Sequence, residues 1–180
     1  DHQLLAYRRN GRFWRQAVRQ QVAGINEVGK ALQFMVSADG QVLLSVLSSD
    51  GQQDLYISFA QGNHQWSTPT LLPNTVNSSA QEHSVFLAAD QRSLYFSSNR
   101  AGGEGGYDLY LSRRTGEGWE DWSPAINLGP VINTADDESF LSVPASGQPA
   151  FYTRQNGDQA DLWTAVLPEE AQASPMLLVK

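Results

Sequence analysis

The 180-residue sequence has no cysteine, which excludes disulfides, thiol nucleophiles and thiolate metal sites and leaves either redox compartment open. Histidine is scarce: His2, His64 and His83 are the three copies, and none stands at metal-ligand spacing from another. They read as surface or edge residues. No apolar run approaches the length of a membrane-spanning helix, and the first residues lack a basic-then-apolar leader. The chain is therefore expected to be soluble, with room for a leader removed ahead of Asp1. Positive charge is thin beyond the first segment. Residues 1–30 hold six basic side chains against two acidic, a balance of +4, whereas the remaining 150 hold six against seventeen, a balance of −11. An acidic body argues against broad binding to nucleic acid or anionic membrane, because phosphate neutralisation dominates such affinity. The N-terminal Arg8, Arg9, Arg12, Arg15 and Arg19 are open to two readings, a local anion or partner patch and a solvated strand edge. The second needs no ligand.

Glycine is concentrated where the sequence reads SNRAGGEGGYDLY, from Ser98 to Tyr110. A phosphate-binding loop would continue into Lys and Ser or Thr at a helix start. Tyr107-Asp108-Leu109-Tyr110-Leu111-Ser112 instead has strand character. The stretch is read as a long hairpin loop whose glycines supply positive-φ positions.

The chain repeats. Asp54-Leu55-Tyr56, Asp108-Leu109-Tyr110 and Asp161-Leu162-Trp163 recur at spacings of 54 and 53, after a degenerate copy, Gln3-Leu4-Leu5, that stands 51 residues earlier. Trp14, Trp66 and Trp119 follow the first three copies, with Trp122 close behind, and Asn26, Asn77 and Asn133 keep the same phase. Each Asn leads into an apolar run holding Phe34, Phe86 or Phe140, then a turn and a second apolar run. Runs this short, broken by Gly, Asp, Asn and Ser, are strands.

Each unit thus holds four strands, for example Pro124–Leu128 (A), Ser139–Val143 (B), Pro149–Arg154 (C) and Asp161–Val166 (D). Four short antiparallel strands in a repeat of about 53 residues predict an all-β fold, the β-propeller. Runs such as Leu94-Tyr95-Phe96, apolar on both faces, suit a blade packed between neighbours. The predicted division is a D strand in 1–13, blades at about 14–60, 61–114 and 115–167, and an exit linker or strand in 168–180. Propellers close with four to eight blades, so three and a fraction call for missing blades or another chain to complete the ring.

The stretches LYFSSNRAGGEGGYDLYLSRRTGEGW and WSPAINLGPVINTADDESFLS resemble the TolB-type, WD-repeat-like propeller repeat of multidomain cell-envelope proteins in Gram-negative bacteria. The likeness spans nearly the whole chain and is strongest from Ser84 to Ser142. Leu167–Gln172 and Ser174–Lys180 resemble the exit of such propellers toward a carboxypeptidase-regulatory-like domain and an OmpA-like domain, as in OmpA-family, PorE-like periplasmic proteins associated with type IX secretion. The resemblance implies a periplasmic, outer-membrane-associated protein that meets protein partners of the cell envelope. It implies peptidoglycan binding only through a domain that this chain does not contain. The first unit departs from the pattern: Gln3 stands where Asp is expected, and no acidic residue matches Glu82 or Glu138.

Candidates for chemistry are few, and no catalytic residue, metal or cofactor is assigned. Asp136-Asp137-Glu138 could hold a hard cation or act as a glycosidase-like acid pair, but three consecutive side chains on a strand do not converge. A turn fixed by Asp–backbone bonds is favoured. A sialidase would need a convergent arginine cluster, and the arginines here fall mostly in one terminal segment. Asp54, Asp108 and Asp161 recur once per unit, as a turn-fixing bond would; Trp66, Trp119, Trp122 and Trp163 read as packing between blades rather than sugar platforms. In an antiparallel blade the A-to-B and C-to-D connections emerge at one end. That end carries Glu82, His83, Arg100, Glu104, Tyr107, Asp136, Asp137 and Glu138, a mixed-charge rim on loops, where binding tends to sit. The expected function is a non-catalytic interaction module; a glycan-binding or glycan-processing propeller is the alternative.

Overall fold

Alternation of apolar residues on both faces of short strands dictates stacked sheets, and a computed structural model shows three of them. It describes residues 4–6, 9–10, 13–14 and 17–174. His2, Arg8, Arg12, Arg15 and residues 175–180 lie outside the described residues, as do the side chains of Arg9 and Trp14.

At the N-terminal side β1 (Leu4–Ala6) pairs antiparallel with β4 (Val18–Val22), and β2 (Arg9–Asn10) with β3 (Phe13–Trp14). A one-turn helix, α1 (Ile25–Val28), leads into the first sheet: β5 (Lys30–Val36), β6 (Val42–Ser49), β7 (Gln52–Gly62), then β8 (Gln65–Trp66) and β9 (Thr70–Leu71). β9 pairs with the first half of β7, while β8 joins its far end to β4. The second sheet runs β10 (Glu82–Leu87), β11 (Ser93–Ser98), β12 (Asp108–Arg113), β13 (Ile126–Asn127). The third holds β14 (Asp137–Ser142), β15 (Ala150–Asn156) and β16 (Gln159–Ala165).

This pairing corrects the expected grouping. The A strand does not open a sheet with its own B strand. It closes the preceding one: β9 pairs with β7, and β13 with β12. The blade strands therefore group as 30–71, 82–127 and 137–165, out of phase with the repeat intervals, and the parallel β4–β8 pairing ties β1 and β4 to the first group. The reason lies in the A-to-B connection. In both complete sheets a tight turn (Val76 and Asn77 N–H to Pro73 O; Ile132 and Asn133 N–H to Gly129 O) crosses to the next sheet. The Asn at its end then reaches back. Asn77 Oδ1 accepts Leu55 N–H at 2.8 Å and its Nδ2 donates to Leu55 O and Leu72 O; Asn133 does the same for Leu109 N–H and O, and its Nδ2 also donates to Asn127 Oδ1. A side-chain amide that copies a ladder partner satisfies buried backbone where the A strand has ended. The N-terminal register also shifts the degenerate copy. Leu4 opposes Gln20 as Tyr56 opposes Leu71 and Tyr110 opposes Asn127, so Leu4, rather than Leu5, stands in the Tyr position.

Side-chain alternation builds two cores. Leu94, Phe96 and Tyr110 face the first sheet and meet Val46, Leu55 and Leu72; Tyr95, Leu109 and Leu111 face the third and meet Leu141, Ala150 and Tyr152. β10 packs against β5 on one side and β14 on the other, bringing the first strands of the three sheets together. All three strands carry a bulge opposite their only sheet neighbour, a device that blunts an open edge.

After β16 the chain does not leave. Residues 168–174, expected as an exit linker, fold back across the second sheet. Leu167, Ala171 and Ala173 are buried, Tyr95 Oη donates to Ala171 O at 2.6 Å, Arg113 Nη2 donates to Glu170 O and Gln172 O, and Ser174 N–H donates to Asp90. Burial pushes the Tyr95 phenol up to about 12. No strand among the described residues pairs with the outer edge of β16.

Candidate functional site

The three C-to-D connections differ in length. β6 and β7 are joined by Asp50-Gly51, both at positive φ, and β15 and β16 by Gly157-Asp158. Between β11 and β12 the connection runs through residues 99–107, so only here does a loop stand well clear of the sheet. It leans on the connection before β14. Glu138 N–H donates to Tyr107 O at 2.6 Å, Tyr107 N–H to Asp137 Oδ1 at 2.7 Å, and Gly106 N–H to Asp136 O. The glycines serve this approach more than they serve turn geometry: Gly102 has positive φ (89°), whereas a Cβ on Gly105 would lie 2.2 Å from Thr134 O and one on Gly106 2.0 Å from Asp137 Oδ1. The hairpin reading holds, and the positive-φ role assigned to its glycines is confined to Gly102. Asp108 fixes the loop from inside, accepting Glu104 N–H at 2.6 Å and Asn127 Nδ2–H at 3.1 Å. Asp54 meets only a side-chain amide, that of Gln52, and Asp161 is exposed, so a turn-fixing Asp belongs to the second sheet rather than to every blade.

The predicted rim residues divide into two groups. Glu82 and Glu138 are 0% exposed, which removes both from any partner surface. Glu82 accepts from Ser78 Oγ, Ser98 Oγ and Arg100 Nη2 (2.9 Å), and Arg100 lies over the rings of Phe96 and Tyr110 at 5.0 and 4.9 Å. Glu138 accepts from Thr134 Oγ1 and N–H and from Arg154 Nε (2.8 Å), and Arg154 lies over Trp163 at 4.4 Å and Tyr152 at 5.9 Å. Both arginines also donate to a backbone carbonyl, of Val76 or Ile132. The same carboxylate–guanidinium–aromatic set is thus built twice, although Arg154 sits opposite Glu138 in the ladder while Arg100 lies two residues past Ser98, the ladder partner of Glu82. Burial pushes the Glu82 carboxyl up, against the opposing pull of its hydroxyl and Arg100 partners. These residues hold the sheet ends together.

The second group converges. His83, at the β10 bulge, lies tilted against Tyr107 at 4.9 Å between centroids and meets the Phe140 ring edge-on at 5.4 Å. With Asp137, Ser139, Thr153 and Gln155 these rings line a pocket of about 190 Å³. Burial lowers the His83 imidazole below its ordinary value although Asp137 pulls the other way, and burial, with Asp137 and Glu82, raises the Tyr107 phenol. Phe140 is 49% exposed at φ 55°, a backbone conformation that a bulky side chain adopts only under constraint. Its N–H is held by Ser84 Oγ across the sheet interface at 3.0 Å. The sequence pattern places Phe140 in the same apolar run as Phe34 and Phe86; at the β14 bulge its ring lies exposed. Asp136 accepts from Asn156 Nδ2, and Glu104 is exposed beside the loop tip.

Asp136, Asp137 and Glu138 point to three different partners, and no cluster of three metal-ligating side chains occurs among the described residues. The tryptophans do not form a platform. Trp66 and Trp122 are buried, Trp119 packs edge-on against Phe59 and tilts on Trp122, and Trp163 lies beneath Arg154. His64 sits in the β7–β8 turn at φ 63°, beside Gln20.

No protein-family model and no curated protein sequence matches the chain. Among solved structures, TolB from Acinetobacter baumannii superposes with a TM-score of 0.50 at 16% identity over 77% of this chain and 30% of its own. A putative TolB from Agrobacterium tumefaciens gives 0.44 at 14% identity, over 86% of this chain and 64% of its own. The chain spans less than a third of the first structure's length, and the likeness to it is one of fold: three stacked antiparallel sheets that correspond to part of a TolB-type β-propeller.

Proposed function

We propose that the chain is a non-catalytic interaction module that meets protein partners through the rim where the 99–107 loop joins the 133–137 connection. The single observation that carries this is the loop contact itself. Sheet-end residues that could have been left to solvent are instead ordered into a fixed surface around His83, Tyr107 and Asp137, which lowers the entropic cost of docking. The TolB-type fold supports a periplasmic setting, and the OmpA-family, PorE-like resemblance extends it to an outer-membrane-associated assembly. A glycan reading would need ring platforms beside an acid pair, and the packed Trp66, Trp119 and Trp122, the Trp163 ring covered by Arg154, and the diverging carboxylates favour the module.

The test is site-specific photo-crosslinking in an envelope extract. A crosslinking side chain at position 104, on the rim, should capture a protein that one at position 117, at the opposite ends of the strands, does not. Equal capture from both positions, or none from 104, would sink the rim. Glycan hydrolysis that depends on Asp137 would sink the non-catalytic part.

A further inference from the structure

The molecule twice places a cation over aromatic rings beside a buried carboxylate: Arg100 over Phe96 and Tyr110 with Glu82, and Arg154 over Trp163 and Tyr152 with Glu138. A third set of rings and carboxylate stands between them without a cation. His83 packs against both Tyr107 and Phe140, Asp137 lines the same pocket, and among the described residues no Lys or Arg pairs with Asp137 or lies over these rings. We propose that this pocket receives a cationic side chain, arginine or lysine, carried by the protein partner; the inference rests on the module reading above.

Three features fit that occupant. The Tyr107 N–H engages only Oδ1 of Asp137, so Oδ2 is free of hydrogen bonds among the described residues and an acceptor remains for a guanidinium or ammonium donor. Ring faces attract a cation, more strongly where water is partly excluded, and the 190 Å³ space between the rings and Gln155 is the size of one long side chain rather than of a sugar ring pair. Burial disfavours the protonated His83 ring although Asp137 pulls the other way, with Asp137 and the buried Glu82 as the acidic groups around it and Tyr107 and Phe140 as its uncharged neighbours, so the charged side chains around the pocket are acidic.

The experiment is a titration of the 180-residue protein with N-acetyl-arginine methylamide, followed by the NMR signals of His83 and Phe140. The uncharged isostere N-acetyl-citrulline methylamide is run in parallel. The arginine compound should give saturable shifts confined to the pocket, and citrulline should bind at least roughly tenfold more weakly. Asp137→Asn, which keeps the acceptor for Tyr107 N–H, should weaken the arginine compound roughly tenfold with the melting curve unchanged. No pocket shifts, equal binding of the two compounds, or full binding by folded Asp137→Asn would overturn the inference. The two readings separate in the crosslinking assay: capture from position 104 that survives Asp137→Asn keeps the module and overturns the cation, whereas capture lost in Asp137→Asn supports both.

Discussion

Phe140 holds a backbone conformation that glycine adopts freely and phenylalanine does not. Its strain gives a clean comparison of two truncations. Phe140→Ala removes the ring and keeps the strained φ, whereas Phe140→Gly removes both. In a strand glycine is ordinarily the less stable of the two by about 0.5–1 kcal/mol; here Phe140→Gly should be the more stable by about 1 kcal/mol, read from urea midpoints. His83 supplies the second residue-scale outcome. Its folded pKa lies below the 6.5 of a free imidazole, so below that value the unfolded chain takes up a proton that the folded chain resists. Stability is fully present above pH 6.5 and falls as the pH drops through 6.5 toward the folded pKa. Melting temperatures between pH 7.5 and 5 should fall less steeply in His83→Gln than in the native protein; parallel curves would show that the imidazole is not buried in solution.

At the scale of the elements, strands are stitched across sheets by side chains that imitate backbone. Asn133→Ala leaves the N–H of the fully buried Leu109 without a partner, while its C=O keeps only the Leu128 N–H, and an orphaned buried group costs about 1–3 kcal/mol. A loss of about 1–3 kcal/mol in chemical denaturation is expected, and one below about 0.5 kcal/mol would show that water replaces the amide. Arg154→Met should cost about 3–5 kcal/mol by leaving Glu138 charged and buried, and Glu138→Gln added to it should recover part of that loss. These elements also show what was legible in the sequence. Strand positions and both-face burial followed from runs such as Leu94-Tyr95-Phe96, and the repeated Asn marked a real structural position. The grouping of strands into sheets was not legible, because spacing is the same whether an A strand opens one sheet or closes another. The rim loops were placed together correctly from antiparallel topology alone. Which rim residues face solvent was not legible: a charged residue beside a loop looks identical whether it is exposed, like Glu104, or enclosed by Ser78, Ser98 and Arg100, like Glu82. Phe140 was missed as a site residue because a bulge leaves no periodic signature.

Taken whole, the molecule is finished in its middle and open at its sides. The second sheet is covered on both faces, whereas on the third Leu162 and Val166 are 73% and 75% exposed and Trp163 is partly so, in and just after β16, whose outer edge has no partner strand among the described residues. Such edges associate. Sedimentation of the 180-residue protein should show concentration-dependent association, reduced by Leu162→Lys; identical behaviour of the two proteins would show that another surface governs it.

The fold-back of residues 167–174 has a mechanical side. A pull applied past Ser174 would not begin by peeling β16 from β15 one hydrogen bond at a time. It would first load the bonds of the 170–174 strap to Tyr95, Arg113 and Asp90 in the middle sheet, before any tension reached the third sheet. The exposed sheet behind that strap is thus shielded from tension until the strap's bonds to the middle sheet have parted.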